Sequence, residues 1–174
     1  YIYDNLYRLT EKQLDGETFY TFHYDTPHSD FSDWQTHTAG KVSWIEDPTG
    51  ERIFSYDIFG NITRTRQTVF DYVSPSEMTF LPNGAVASAT VGSYSFDYNY
   101  DKAGNLTQIG DLWKALDIDA NGIVLQQQWA NGVTETTTVD TSSRLSTIKI
   151  NKDASLLLDK TLGYDTLGNL SFVD

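Results

Sequence analysis

The 174-residue sequence contains no cysteine and only four prolines and one methionine. Without cysteine the chain can form no disulfide, no thiolate nucleophile and no cysteine-ligated zinc site. The fold must therefore be stabilised by burial of apolar surface and by hydrogen bonds.

Long apolar runs and positive charge are also scarce. No segment approaches the ~20 apolar residues of a membrane helix, and the N-terminus, Tyr1-Ile2-Tyr3-Asp4, has neither a methionine nor a signal pattern. We therefore expect no membrane span and a chain cut from something longer. Twelve Lys and Arg against 24 Asp and Glu give a net charge of −12, with no basic cluster to bind a nucleic-acid backbone. Nucleic acid is excluded as an expected partner.

The residues that are abundant favour strands and turns. Asp outnumbers Glu by 18 to 6, and Asp favours turns whereas Glu favours helices. Thr (21) and Tyr (11) suit strands. Only residues 111–116 and 153–160 have a composition that allows a helical turn or two.

A Tyr-Asp motif recurs along the chain. Five Tyr-Asp dipeptides occur where composition predicts about one, and three continue almost identically, as YDIFGNIT, YDKAGNLT and YDTLGNLS. Partial copies are YDNLYRLT, VDTSSRLS and IDANGIVL. The repeated positions are Tyr3, Asp4, Tyr24, Asp25, Tyr56, Asp57, Gly60, Tyr100, Asp101, Gly104, Asp119, Gly122, Asp140, Tyr164, Asp165 and Gly168.

The repeated aspartates are separated by 21, 32, 44, 18, 21 and 25 residues. A period near 20 fits most of these separations. The 32-residue step indicates an insertion or irregular loop at residues 26–40, and the 44-residue step indicates two periods with a degenerate copy between them. We interpret residues 1–174 as a single array.

Turn chemistry explains the motif. In Asp57-Ile58-Phe59-Gly60 the Asp side chain can accept hydrogen bonds from the following backbone N–H groups, and Gly supplies a left-handed residue. A type I turn followed by such a residue is a common hairpin loop with a bulge. A non-Gly residue there costs ~1–2 kcal/mol, so Tyr7 and Ser143 predict looser or differently built turns.

Other turns lie between these motifs. Asp15-Gly16, Asn83-Gly84 and Asn131-Gly132 predict two-residue hairpin loops, and Asp47-Pro48-Thr49-Gly50 predicts a type I turn. Turn signals then fall every 9–13 residues over much of the chain, separated by alternating stretches. This spacing predicts an all-β fold of consecutive antiparallel β-hairpins.

The motif Tyr-Asp-x-x-Gly-(Asn/Arg)-(Leu/Ile)-(Thr/Ser), at a spacing near twenty, resembles the Rhs/YD-repeat family. The resemblance runs from Tyr3 to the C-terminus, with a poor fit at residues 26–40 and 68–79. It implies a curved β-ribbon that forms part of a hollow shell, as in bacterial Rhs proteins, wall-associated proteins, the B and C subunits of insecticidal toxin complexes, and teneurins. It also implies a secreted or cell-surface location, the rest of the parent shell as partner, and an enclosed toxic polypeptide. Bacterial shells often end in a protease region marked Asp-Pro-x-Gly-Leu, but here Glu51 follows Asp47-Pro48-Thr49-Gly50, so we interpret that segment as a turn.

Two groups of residues are candidate metal ligands. The stretch from His23 to His37 holds all three histidines (His23, His28 and His37) and is a candidate zinc site, although its spacing matches no compact ligand motif and a solvated loop explains it as well. Asp117, Asp119 and Asn121 match the start of a calcium loop, but Gln128 stands where a bidentate Glu is needed.

No catalytic constellation emerges, so we expect a non-catalytic structural segment without a cofactor. The alternative is an extracellular adhesion module in which exposed aromatic residues bind a carbohydrate or a receptor. Core packing explains the same aromatic residues equally well. The sequons at Asn61, Asn105 and Asn169 coincide with the repeat's own Gly-Asn-Leu-Thr, so turn geometry is a sufficient cause for them.

Overall fold

The computed structural model describes all 174 residues. It contains sixteen β-strands and one short 3-10 helix, and it divides into two compact units, residues 1–95 and 96–174. In each unit the strands follow one another antiparallel in chain order. The predicted fold class, all-β with consecutive antiparallel hairpins, is confirmed.

The first unit contains eight strands and the 3-10 helix. Each strand from β1 to β8 pairs with the next one in sequence. The elements are β1 (Ile2–Tyr3), β2 (Leu9–Leu14), β3 (Glu17–Tyr24), the helix (Ser29–Phe31), β4 (Val42–Asp47), β5 (Gly50–Tyr56), β6 (Ile62–Val69), β7 (Tyr72–Phe80) and β8 (Val86–Val91).

The second unit repeats this arrangement. Its strands also pair in chain order. They are β9 (Tyr94–Tyr100), which begins two residues before the boundary, β10 (Leu106–Ile109), β11 (Trp113–Ile118), β12 (Val124–Trp129), β13 (Val133–Val139), β14 (Leu145–Lys152), β15 (Ser155–Tyr164) and β16 (Leu170–Val173).

Few side chains are buried. Ile53 and Tyr56, both on β5, are the buried hydrophobic residues, with exposed fractions of 0% and 8%. Gln35, Thr38, Ser43 and Ser55 are buried polar residues. All six lie where residues 25–41 pack against β4 and β5, so the core sits there and most of the sheet surface is only partly covered.

The predicted two-residue hairpins are confirmed at one place and wrong at two. Asp15 and Gly16 both have positive φ, 53° and 85°, as a type I′ turn requires. At the other two sites only Gly84 and Gly132 have positive φ, and each glycine N–H donates to the carbonyl three residues earlier. These loops are therefore four-residue turns closed by a left-handed glycine. A turn at Asp47–Gly50 is confirmed, because these two residues pair across it.

The helical turns that the composition of residues 111–116 and 153–160 allowed do not form. Trp113 pairs with Trp129 in β11 and β12, and Lys152 pairs with Ser155 across a tight turn. Cross-strand pairing overrides the weak helical composition of both segments. The structure contains no helix with the length and hydropathy of a membrane span.

Candidate functional site

The turn that begins at Asp57 is held by five hydrogen bonds. The Asp57 backbone N–H donates to the Asn61 carbonyl at 3.0 Å, and the Gly60 N–H donates to the Asp57 carbonyl at 3.1 Å. Asp57 Oδ1 accepts from the N–H groups of Phe59 (2.8 Å) and Asn61 (2.9 Å), while Oδ2 accepts from the Asn61 side-chain amide at 2.8 Å. Both carboxylate oxygens are therefore used within the turn. We call Asp57 the opening residue and Asn61, four positions later, the closing residue.

The same arrangement recurs along the chain. In every case Oδ1 of the opening aspartate accepts two backbone N–H groups, from the residues two and four positions later. The turns opened by Asp4, Asp101, Asp119, Asp140 and Asp165 share this pattern. The repeat in sequence is thus a repeat in turn geometry.

Tyr7 and Ser143 occupy the left-handed position normally taken by glycine, with φ of 60° and 59°. The expectation of looser or differently built turns is wrong for the backbone, because both turns keep the full backbone hydrogen-bond pattern. In both the closing residue is an arginine. The Nε atoms of Arg8 and Arg144 donate to the opening carboxylate at 2.7 and 2.8 Å. These charge-assisted hydrogen bonds are stronger than the hydrogen bond donated by the Asn61 side-chain amide. Their extra strength offsets the strain of a non-Gly residue at the left-handed position.

These hydrogen bonds lower the pKa values of the opening carboxylates. The side-chain amide of the closing asparagine is the main cause at Asp57, Asp101 and Asp165, and the Arg144 side chain is the main cause at Asp140. At Asp4 the main cause is the backbone N–H of Arg8. Since hydrogen bonds to the charged form favour ionisation, each carboxylate stays ionised further into acid than a free Asp.

Consecutive turns are tied together by the tyrosine of the motif. The hydroxyl of Tyr56 donates to the Val42 carbonyl at 2.7 Å. The hydroxyls of Tyr24 and Tyr164 donate in the same way to the Leu9 and Leu145 carbonyls, both at 2.8 Å. In each pair the acceptor directly follows the closing residue of the preceding turn.

The closing residue of the preceding turn also lies over the tyrosine ring. The cationic groups of Arg8, Lys41 and Arg144 are 4.3, 5.1 and 4.4 Å from the centroids of the rings of Tyr24, Tyr56 and Tyr164. These distances are within cation–π range. We call the combined hydroxyl–carbonyl and cation–ring contact the tyrosine lock. The sequence revealed the tyrosines but not their acceptors, which are backbone atoms.

The degenerate copy predicted between Asp57 and Asp101 is confirmed, and it opens at Leu81. The Leu81 N–H donates to the Ala85 carbonyl at 2.7 Å, and the Gly84 N–H donates to the Leu81 carbonyl at 2.8 Å. Because leucine has no side-chain acceptor, Asn83 Oδ1 accepts the Ala85 N–H instead, at 3.1 Å. The signal in the sequence was Gly84 followed two positions later by a β-branched residue.

An open groove of about 1040 Å³ lies between the turns opened by Asp57 and Leu81. Ile58 and Phe59 line it with mostly exposed side chains. Phe80 takes the place of the motif tyrosine here and brings no hydroxyl. This is therefore a junction without a complete tyrosine lock.

The turn opened by Asp25 contains the insertion. The Asp25 N–H donates to the Lys41 carbonyl at 3.1 Å, and Asp25 Oδ1 accepts the Gly40 N–H at 2.6 Å, which is the main cause of the lowered pKa of Asp25. Gly40 has φ of 77°. Gly40-Lys41-Val42 is thus the second half of the motif, and residues 26–39 replace the usual two residues of the turn.

The inserted residues fold onto the sheet rather than projecting into solvent. The amide Nε2 of Gln35, 4% exposed, donates to the backbone carbonyls of Ser43 (2.9 Å) and Phe54 (2.8 Å). Thr36 exchanges backbone and side-chain hydrogen bonds with Tyr56. Gln35 therefore bridges the ends of β4 and β5, a role that the sequence did not indicate.

The three histidines of the candidate zinc site have different surroundings. His23 stacks on Trp44 with a centroid distance of 4.1 Å, and His28 meets the edge of the same ring at 5.2 Å. Their Nε2 atoms lie 3.5 and 3.4 Å from two different glutamates, while His37 lines the groove. No group of three or more His, Asp or Glu side chains has an arrangement that could hold a metal ion.

Of the candidate calcium residues, Asp119 and Asn121 form the turn and Asp117 lies on a strand. Asp119 Oδ1 accepts the N–H groups of Asn121 and Ile123, both at 2.8 Å. Asp117 lies on β11, where it pairs with Gln126 on the next strand. The three sequon asparagines likewise donate their side-chain amides to opening aspartates, at 2.8, 2.9 and 3.0 Å.

No model of a known protein family matches the chain, and no curated protein matches it in sequence. Several solved structures match in fold. In a crystal structure of TcdB2-TccC3, 90% of this chain superposes with a TM-score of 0.72 and 19% identity. The figures are 92%, 0.72 and 20% for TcdB2-TccC3-Cdc42, and 94%, 0.72 and 18% for a mutant Tc holotoxin pore of Photorhabdus luminescens. The chain spans 9% of the length of each of these chains, so it shares the fold of one segment of them.

Proposed function

We propose that this chain is a non-catalytic structural segment of a secreted or cell-surface Rhs-type protein. It forms part of a β-shell that encloses or presents a toxic polypeptide. The tyrosine lock carries this proposal, because at Tyr24, Tyr56 and Tyr164 it ties a turn to the one before it and so supports growth of the sheet by repetition.

The burial pattern supports a wall rather than a free-standing domain. With two buried hydrophobic residues, the chain has little core of its own. Repeat proteins with this property take their stability from neighbouring repeats. The likeness to segments of toxin-complex chains supports the same interpretation.

The proposal is tested on the protein encoded by the full open reading frame. Limited proteolysis should leave the shell and an enclosed polypeptide intact at protease concentrations that digest the denatured protein. Replacing Tyr24, Tyr56 and Tyr164 together with Ala should loosen the wall and expose the enclosed polypeptide to cleavage. Tyr72→Ala is the matched control, since that ring is 73% exposed and makes no lock.

The proposal fails if no polypeptide is protected in the unaltered protein, or if the triple variant and the control are digested alike. The alternative, an adhesion module that binds a carbohydrate or a receptor, stays a prediction. The groove beside Phe59 is the concave surface such a ligand would occupy. Saturable binding on a glycan array, weakened by Phe59→Ala, would favour that alternative.

A further inference from the structure

Three Asn-Gly pairs lie in turns with the same backbone hydrogen bond. They are Asn83-Gly84, Asn121-Gly122 and Asn131-Gly132. In each pair the glycine has positive φ (85°, 83° and 79°), and its N–H donates to the carbonyl three residues earlier at 2.8, 3.0 and 3.0 Å. An asparagine can react with the backbone nitrogen that follows it, and glycine hinders this attack least because it has no side chain. Since the backbone bond is common to the three turns, their surroundings distinguish them.

In two of the turns a backbone N–H donates to the asparagine's amide oxygen. The Ala85 N–H donates to Asn83 Oδ1 at 3.1 Å, and the Val133 N–H donates to Asn131 Oδ1 at the same distance. Negative charge develops on this oxygen when a nitrogen attacks the amide carbon. A donor already directed at that oxygen lowers the barrier to attack.

In the third turn the opening aspartate takes this donor. The Ile123 N–H donates to Asp119 Oδ1 at 2.8 Å, so it is not directed at the amide of Asn121. The Asn121 side-chain nitrogen also lies 3.5 Å from Asp119 Oδ2. Attack on this amide would therefore develop negative charge beside a carboxylate, without the donor that the other two turns provide. Both differences raise the barrier.

The space around the glycine differs as well. Ring closure rotates the peptide bond ahead of the glycine, so it needs room there. Gly84 is exposed, and a Cβ atom built on it would have no neighbour within 4 Å. Gly122 and Gly132 are half-buried, and a Cβ atom on them would lie 2.7 Å from Asn105 Oδ1 and 3.7 Å from Asp153 Oδ1. The pair at Gly84 thus combines the donor with open space.

We propose that Asn83 is a site of spontaneous deamidation in the folded protein. The Gly84 nitrogen attacks Cγ of Asn83, so that the N–Cγ bond forms and the Cγ–Nδ2 bond breaks. The amide group leaves as ammonia, with the proton from the Gly84 nitrogen. Water then opens the cyclic imide. Attack of water on the side-chain carbonyl gives Asp, and attack on the main-chain carbonyl gives isoaspartate, whose main chain runs through the former side chain.

Deamidation of Asn83 changes the open groove that its turn borders. Asn83 lines this groove together with the charged side chains of Asp57, Arg64 and Glu77. Either product adds a negative charge there. The Asp product can keep the hydrogen bond from the Ala85 N–H, whereas isoaspartate lengthens the main chain and disrupts the turn. The junction without a complete tyrosine lock therefore loosens as isoaspartate accumulates.

Peptide mapping by mass spectrometry follows all three asparagines in one sample. The folded protein is incubated at neutral pH, and portions taken over time are digested in acid, where the reaction stops. We expect Asn83 to convert at least roughly tenfold faster than Asn121, with Asn131 between them. The same protein in concentrated urea is the control. The three asparagines should convert at similar rates there, because the fixed turns are lost.

Variants of the opening residues test the cause. Leu81→Asp supplies a carboxylate that can take the Ala85 N–H, as Asp119 takes the corresponding donor in its own turn. This variant should slow the conversion of Asn83 by roughly tenfold. Leu81→Ala brings no acceptor, so it is the matched control and should leave the rate unchanged. Asp119→Leu is the converse variant and should speed the conversion of Asn121.

The inference is overturned if Asn121 converts as fast as Asn83 in the folded protein, or if Asn83 converts only in urea. It is also overturned if Asn83 converts at the same rate in Leu81→Asp as in Leu81→Ala. Both Leu81 variants change an exposed side chain, so the comparison does not depend on whether Asp119→Leu folds.

Discussion

The tyrosine lock at Tyr56 allows a quantitative test, because its ring is buried and its hydroxyl makes one short hydrogen bond. Tyr56→Phe keeps the ring beneath Lys41 and removes only the bond to the Val42 carbonyl. An intramolecular hydrogen bond contributes about 0.5–1.5 kcal/mol net, and a buried acceptor left without a donor costs about 1–3 kcal/mol. We expect the first unit to lose about 1–2 kcal/mol of unfolding free energy. Tyr56→Ala, which also removes the ring, should cost about 3–5 kcal/mol.

Urea titration followed by tryptophan fluorescence measures this loss. A background with Trp113 and Trp129 replaced by Phe restricts the signal to the two tryptophans of the first unit. Tyr72→Phe is the control and should change the unfolding free energy by less than about 0.5 kcal/mol, because that side chain is exposed. If Tyr56→Phe is as stable as Tyr72→Phe, the hydroxyl does not hold the turns together.

The incomplete junction permits the converse experiment. Phe80 stands in the motif tyrosine's place. Ahead of it Arg64 pairs with Glu77, in the same way as Trp44 pairs with Ile53 ahead of Tyr56. Phe80→Tyr adds a hydroxyl directed at the Ile62 carbonyl and should stabilise the first unit by about 0.5–1 kcal/mol. A loss of stability in the same titration would show that the carbonyl is not positioned to accept.

Three further outcomes are expected. Gly50→Ala should lower the free energy of unfolding by about 3 kcal/mol in urea titration, because a Cβ atom there would collide with the backbone carbonyl of Thr68. Gly16→Ala is the control; it has open space around it and should lower the free energy of unfolding by about 1 kcal/mol. Gln35→Ala should lower the free energy of unfolding by about 2–4 kcal/mol in the same assay, because it leaves two backbone carbonyls without donors. Gln128→Ala is the control and should lower it by less than about 0.5 kcal/mol, because Gln128 is exposed. The lowered pKa values of the opening carboxylates add stability that is fully present above the ordinary Asp pKa of 3.8 and is lost as the pH falls through the lowered values. The urea midpoint should therefore fall as the pH is lowered below 3.8, and a midpoint that does not change would contradict this.

The local chemistry of the turns was predictable from the sequence. Asp57 and Gly60 each act within five residues, so the motif itself records the conformation that they impose. The same rule failed at Asn83 and Asn131, because an Asn-Gly pair fits both a two-residue loop and the end of a longer turn. Only the strand register decides between these two.

Interactions between residues far apart in the sequence were harder to predict from it. Gly40 and Lys41 complete the motif of Asp25, but fourteen residues, where the other turns have two, separate the two halves and hide the match. Leu81 lacks the side chain by which the motif is recognised, although its backbone forms the same turn. The acceptors of the tyrosine locks and of Gln35 are main-chain carbonyls, which no residue type reveals.

Because each strand pairs with its neighbours in sequence, the strand pairings within a unit join segments that are close together along the polypeptide. Contacts of this kind close short loops and need no distant part of the chain to be present. A chain emerging from a ribosome or a secretion channel could therefore complete one hairpin at a time, with each finished edge acting as the template for the next. In the shell that we propose, assembly in that order would enclose the contents during synthesis, and no later step of opening and filling would be needed.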